Sequence, residues 1–413
     1  MTRTKRSACS AWWDEMSRLA RMVTTAILIV GSVLPAARAS WAASIAVPPG
    51  GSIQEAIDAA SPGTTILVPP GTYHESGALR ALTITKAGIR LVGQSRPGSP
   101  VVLEGVDAQE HGIWVSPDDS VDAPPPADDE HPPCGVDGAR LDGFSLSGFT
   151  IQGFAGFGVY LACVNHYSIS ENLVRDTGEY SIFPVRSDHG AIVRNEASGT
   201  TSDACIYVGK EDDVLVLSNH AHDCLIGFQI ENASHIRLRD NESNDNTSGL
   251  IVDVLNDQQL TFTADNVVEL NFIHDNNLPN AAPPGSDVSN LVPGIGISID
   301  GADRTLVQRN TISGNKFAGL TISNGCVGGN YDCGGPLDID PAPDFNRVID
   351  NRFVDNGAPN RAAAADVIFF PDFGPSRGVG NCFAGNSPGL SSTPPGRLPS
   401  CPTRVPRLPV SAG

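Results

Sequence analysis

The sequence predicts an all-β solenoid in which short parallel strands stack coil upon coil. The first observation is a recurring asparagine. Asn172, Asn195, Asn219, Asn241, Asn271, Asn310 and Asn351 follow one another at 23, 24 and 22 residues, then, with insertions, at 30, 39 and 41. The second is what surrounds each one. An apolar-alternating stub precedes it, as in Ser-Ile-Ser-Glu-Asn at 168–172, and a second stub, usually opened by glycine, follows about a dozen residues later. A period in the low twenties built from short strands is a repeat architecture, because a single coil cannot bury its own apolar face. The third is composition: 43 glycines and 32 prolines against 6% aromatics suit many short strands and tight bends. A buried asparagine at each bend is expected to hydrogen-bond the backbone of the next coil.

The elements follow in order. The apolar stretch from Met22 to Leu34, with Arg18 and Arg21 before it and Ala37-Arg38-Ala39 after it, reads as a secretory signal over residues 1–39. Asp14 and Glu15 fit a leader poorly, which makes Met16 an alternative start. The apolar stretch is too short to span a bilayer. The solenoid is expected over 44–387. It opens with an amphipathic capping helix at 52–60, with Ser52 as N-cap and Glu55 three residues on. A strand at 64–68, a turn at 69–73 and strands at 82–92 and 101–104 come next. Residues 116–137 are acidic and proline-rich and are expected to form a surface loop. Regular coils resume at Leu141, with further insertions at 254–265, 277–294 and 324–345. A proline-rich, mobile tail occupies 388–413.

Nine cysteines become eight once Cys9 leaves with the leader, an even set that reads as disulfides in an oxidising compartment. Cys326 with Cys333, Cys382 with Cys401, and Cys134 with Cys163 are plausible pairs. Cys205 and Cys224 remain, and the pairing stays open at this level. The chain is expected to be secreted or periplasmic and monomeric. A formal charge of −19 argues against nucleic acid as a partner.

Two runs sharpen the fold. Ile-Gln-Glu-Ala-Ile at 53–57, followed by Ile-Leu-Val-Pro-Pro-Gly-Thr-Tyr at 66–73, resembles the opening of right-handed parallel β-helix proteins of the pectate-lyase-like superfamily. Residues 148–325 resemble an exported bacterial subfamily of parallel β-helix repeat proteins. The matching runs are Gly-Phe-Gly-Val-Tyr at 156–160, Glu-Tyr-Ser-Ile-Phe-Pro-Val at 179–185, Ser-Asp-Ala-Cys-Ile-Tyr-Val-Gly at 202–209, Ile-Glu-Asn at 230–232 and Asp-Asn-Asn-Leu-Pro-Asn-Ala-Ala-Pro at 275–283. The resemblance implies a single right-handed parallel β-helix with an N-terminal cap. It implies no activity, since this fold hosts several chemistries. The paired aspartates and Gly-His-Gly of polygalacturonases are missing. So are the Asp-Pro-His-Asp type of motif of mannuronan C5-epimerases, the Trp-Asp-His signature of pectate lyases and the nonapeptide calcium repeat.

Strand alternation then selects candidate residues. In the glycine-opened strands Ile182/Pro184, Ile206/Val208, Phe228/Ile230, Leu250/Val252, Ile297/Ile299 and Leu320/Ile322 form the inward set. The outward set brings Glu231, Asp253 and Asp300 into one row of carboxylates on successive coils, about 4.8 Å apart per step. Stacked like charges need a bound cation, a raised pKa or a basic neighbour. Hard oxygen ligands on adjacent coils suit Ca²⁺. Tyr207 and Gln229 are expected to be exposed beside the row as substrate-binding groups, with Arg186 and Lys210 at one edge as basic catalytic groups. Calcium would acidify a uronate C5 proton that a base removes. Glu179 with Asp203, and Asp188 with His189, are weaker candidates; at the turn, Asp188 reads equally well as a cap. Two functions follow: a Ca²⁺-dependent lyase or C5-epimerase on acidic polysaccharide, or a non-catalytic protein that binds envelope glycans or assists metalloenzyme maturation.

Overall fold

A computed structural model describes residues 43–106, 109–117, 134, 138–256, 260–327, 333, 335–387 and 389–402. The leader at 1–39, its alternative start Met16, most of the 116–137 insertion and residues 403–413 lie outside the described residues. The described chain winds into a parallel β-helix. Each coil gives one strand to each of three long sheets, of twelve, ten and eleven strands. One coil runs through Ser168–Ser170, Leu173–Thr177 and Tyr180–Val185. The chain then returns at Ala191–Val193 with Ile192 in register with Ile169.

Register stacks like on like. In the third sheet Ile182, Ile206, Phe228, Leu250, Ile297 and Leu320 are successive partners, all fully inside. Each such side chain contributes about 1.5–3 kcal/mol through burial. The corners explain the asparagines. The residue before each ladder asparagine is left-handed: Glu171 (φ 57°), Arg194 (54°), Ser218 (55°), Asp240 (52°), Leu270 (59°), Arg309 (55°) and Asp350 (56°). Such a φ costs a non-glycine residue about 1–2 kcal/mol. The asparagine offsets it: Asn195 Nδ2 donates to Ile169 O (2.9 Å) and to Asn219 Oδ1 (3.0 Å), and Asn195 N donates to the same Oδ1 (2.8 Å). The pattern repeats through Asn351, which donates to Asn386.

A second ladder that the sequence reading did not separate lies five residues on, at the next corner. Asn246 donates to Asn276, Asn276 to Asn315 and Asn315 to Asn356. At the remaining corner Asn346 donates to Asn381.

At the N-terminal end the helix spans Ile53–Ala59 with Ser52 as N-cap. Its Oγ accepts from Glu55 N (3.1 Å). The acid that completes the cap is Glu75: it accepts from Ile53 N and from Ser52 Oγ, both at 2.6 Å. The stretch expected as one strand over 82–92 is two, Arg80–Ile84 and Arg90–Gly93, because Gly88 turns between them at φ 70°. The expected turn at 69–73 contains the short strand Gly71–Tyr73.

Residues 389–402 of the tail are attached to the last coil. Ser392–Thr393 pairs with Ala365–Phe370, and Cys401 is bonded to Cys382. Cys134–Cys163, Cys205–Cys224 and Cys326–Cys333 complete the disulfides. Four disulfides suit an oxidising, extracellular environment. Among the described residues no helix is long and apolar enough to cross a membrane.

Candidate functional site

The site is built on the outer face of the third sheet. Tyr207, Gln229, Ile251, Ser298 and Thr321 are successive register partners. Two residues further along each strand, Glu231 pairs with Asp253. The pairing of Val252 with Ile299 sets Asp300 beside Asp253. The three carboxylates therefore occupy one row on consecutive coils.

Each acid handles its charge differently. One oxygen of Glu231, Oε1, accepts from the Tyr207 hydroxyl (2.7 Å) and lies 3.6 Å from Lys210 Nζ. Its other oxygen accepts from Gln229 Nε2 at 3.2 Å, and the same nitrogen donates to Asp253 Oδ2 at 3.3 Å. Among the described residues no cation is paired with Asp253. Burial, then the charges of Glu231 and Asp300, push its carboxyl well above the ordinary aspartate range. Asp300 is also raised by burial, against the donors Ser323 and Ser298, the latter at 2.7 Å.

The face is more enclosed than expected. Tyr207 is 2% exposed and Gln229 5%, so both are buried and not surface groups. Period-2 alternation states which way a side chain points, not what covers it. Above Tyr207 the same column is aromatic. Trp114, Tyr160, Phe183 and Tyr207 stack with centroids 4.0, 5.4 and 4.8 Å apart. Ala282, Val288 and Leu291 of the 277–294 insertion pack against this cluster, which also holds Ile226 and Ile251. Tyr207 sits at the junction of the aromatic and polar halves, its ring against Phe183 and its hydroxyl on Glu231. On the other flank Asn232 Nδ2 donates to Leu255 O (2.9 Å), and Asp338 N donates to Asn256 Oδ1 (2.9 Å), which joins the 254–265 and 324–345 insertions.

Arg186 and Lys210 follow their strands in left-handed conformation at φ 53° and 57°. Both are engaged: Arg186 is buried, and Lys210 is ion-paired with Glu231. Asp203 accepts from the Tyr180 hydroxyl at 2.8 Å. Its carboxyl is pushed well up by burial, with Glu179 and Glu231 adding to the rise. Tyr180 is a participant the sequence reading did not single out, although it lies within the 179–185 run. Asp188 reaches the next coil, accepting from Asp212 N (3.0 Å), and pairs with Arg140 (3.2 Å). His189 lies at the surface against Asp213 (3.2 Å). A cavity of about 430 Å³ opens elsewhere, at the capped end, lined by Gln54, Asp58, Arg80 and Thr83.

Among the described residues no group of three His, Cys, Asp or Glu is arranged to hold a metal ion. In the row, the Gln229 amide N–H occupies the position between Glu231 and Asp253 where a cation would bridge them.

The model of the right-handed β-helix region matches residues 135–269. The fold is a right-handed parallel β-helix. Among solved structures, the A-module of mannuronan C-5 epimerase AlgE4 from Azotobacter vinelandii superposes with a TM-score of 0.60 at 18% identity, over 82% of this chain and 83% of that one. The A-module of AlgE6 from the same organism gives 0.58 at 17%, over 82% and 92%. At this identity the likeness is one of fold. The sequence finds no significant match among curated proteins.

Proposed function

We propose that the protein acts on acidic polysaccharide at the outer face of its third sheet, by proton transfer at a uronate C5, as a lyase or C5-epimerase. One observation carries the reading: a phenol, an ammonium and an amide converge on the single carboxylate of Glu231. Glu231, against which Lys210 lies, would serve as the base that takes the C5 proton. Tyr207, its phenol pushed well above its ordinary value by burial and by Glu231, is protonated and would serve as the acid. It would deliver a proton to the departing O4 in elimination, or back to C5 in epimerisation. In this assignment Lys210 holds Glu231 in place, and Arg186 stands one coil away. The likeness in fold to mannuronan C-5 epimerases supports the substrate class.

Calcium, expected from the row alone, finds a poor donor set here. The ion takes about six to eight oxygens, while both oxygens of Glu231 and Oδ2 of Asp253 are already bound by Tyr207, Gln229 and Lys210, which leaves Asp253 Oδ1 and Gln229 Oε1, too few for the ion. No step is routed through it. Titration calorimetry with Ca²⁺ of the wild type against Asp253→Asn checks this, and no difference in heat is expected.

The enzymatic reading is tested by incubating the full chain with a panel of polyuronates in D₂O, following the unsaturated-uronate absorbance and the C5 proton by NMR. New absorbance or deuterium at C5 supports it. Binding to the polymer with neither change would replace it with the non-catalytic glycan-binding reading.

A further inference from the structure

Two oxygens in this cluster have no hydrogen-bond partner among the described residues. Asp253 Oδ1 and Gln229 Oε1 are buried atoms without a hydrogen bond, on side chains only 5% exposed. Leaving a buried acceptor unpaired costs about 1–3 kcal/mol, so both atoms point to something that arrives from outside. The orientation of Gln229 is fixed by its neighbours: its NH₂ lies between two carboxylates, where its carbonyl would meet only acceptors. The protonation of Asp253 is fixed the same way. It is the direct register partner of Glu231, Lys210 lies on the Glu231 side, and a buried carboxyl beside two others is disfavoured in its charged form. With Oδ2 accepting from Gln229, the proton of Asp253 belongs on Oδ1, where the described residues offer no acceptor.

We propose that Asp253 and Gln229 form a metal-free subsite for the carboxyl group of an acidic sugar: Asp253 donates from Oδ1 to the sugar carboxylate, and Gln229 accepts through Oε1 from a neighbouring sugar hydroxyl. This rests on the polyuronate reading and deepens it, because it states how an acidic chain admits an anionic substrate without a calcium bridge. The charged and titratable groups facing Asp253 are Glu231 on the preceding coil, Asp300 on the next and Asp203 two coils back, with Tyr207 and Lys210 reaching it through Glu231. The raised affinity of Asp253 for its proton agrees with the donor role. Asp253 and Gln229 are positioning and specificity residues; Glu231 and Tyr207 carry the proton transfer.

The test is equilibrium binding of mannuronate and galacturonate oligomers to the full chain in EDTA, from about pH 5 to pH 8. The expected result is binding without calcium that weakens as Asp253 loses its proton, approaching about tenfold per pH unit. Asp253→Asn keeps a donor and is expected to bind with that pH dependence removed. Asp253→Ala is expected to bind at least about tenfold more weakly, with a melting curve taken alongside to show that it is folded. Binding that disappears in EDTA and returns with Ca²⁺ would overturn the subsite while leaving the polyuronate reading intact. So would equal losses in Asp253→Asn and Asp253→Ala. Failure of every oligouronate to bind the wild type, with or without Ca²⁺, would overturn both.

Discussion

Glu231 and Asp253 are the same chemical group one strand apart, yet they occupy different electrostatic states. Glu231 shares one oxygen between Tyr207 and Lys210, while Asp253 has a single amide donor. This sets the sign of a pH effect. The folded pKa of Asp253 is raised, so its favourable contribution is complete below the ordinary aspartate value and is lost as pH rises through the folded value. Asp253→Asn removes that loss, and its melting temperature is expected to gain on the wild type as pH rises; parallel curves would contradict the account. Tyr207→Phe keeps the ring against Phe183 but removes one donor from Glu231, at a cost of about 1–3 kcal/mol in thermal stability. The row of acids was legible in the sequence because strand alternation and the asparagine register fix who neighbours whom. The burial of Tyr207 and Gln229 was not, because their cover comes from the aromatic column and from Ala282, Val288 and Leu291, which no local period encodes.

At the scale of the element, the coil is held by its corners. Asn219 donates to Ile192 O (2.8 Å) and to Asn241 Oδ1 (3.0 Å), and it receives both N and Nδ2 of Asn195. Asn219→Ala strands these groups in a dry corner and is expected to cost about 1–3 kcal/mol; an unchanged unfolding midpoint would refute the ladder's structural role. Gly227 opens its strand because a Cβ there would lie 2.3 Å from Ser243 Oγ and 2.6 Å from Gly249 O. Gly227→Ala is expected to destabilise by about 1–3 kcal/mol in denaturant unfolding. The glycine-opened strands and the first ladder could be read from the chain. The second ladder also had a signal, an asparagine five residues after Asn241, Asn271, Asn310 and Asn351. It is hidden by the abundance of asparagine and aspartate at every turn.

At the scale of the molecule, a solenoid is stabilised mainly between neighbouring coils, so its ends need separate protection. Glu75 closes the capping helix at one end. At the other, the Cys382–Cys401 bond and the strand Ser392–Thr393 seal the last coil. Replacing both cysteines by serine is expected to speed amide exchange from about residue 365 onward, a local loss of about 2–4 kcal/mol. Protection around Asn219 should stay unchanged; a uniform loss along the chain would show instead that the molecule unfolds as one unit. The architecture positions Glu231, Tyr207 and Lys210 on one face between insertions, where we propose proton transfer on a uronate. The most direct measurement is proton NMR of polyuronate incubated in D₂O with the wild type and with Tyr207→Phe. The account predicts deuterium at C5, or an unsaturated product, with the wild type, and a loss of at least about a hundredfold in rate with the variant. Equal rates in the two proteins, or no reaction of any polyuronate with the wild type, would contradict it.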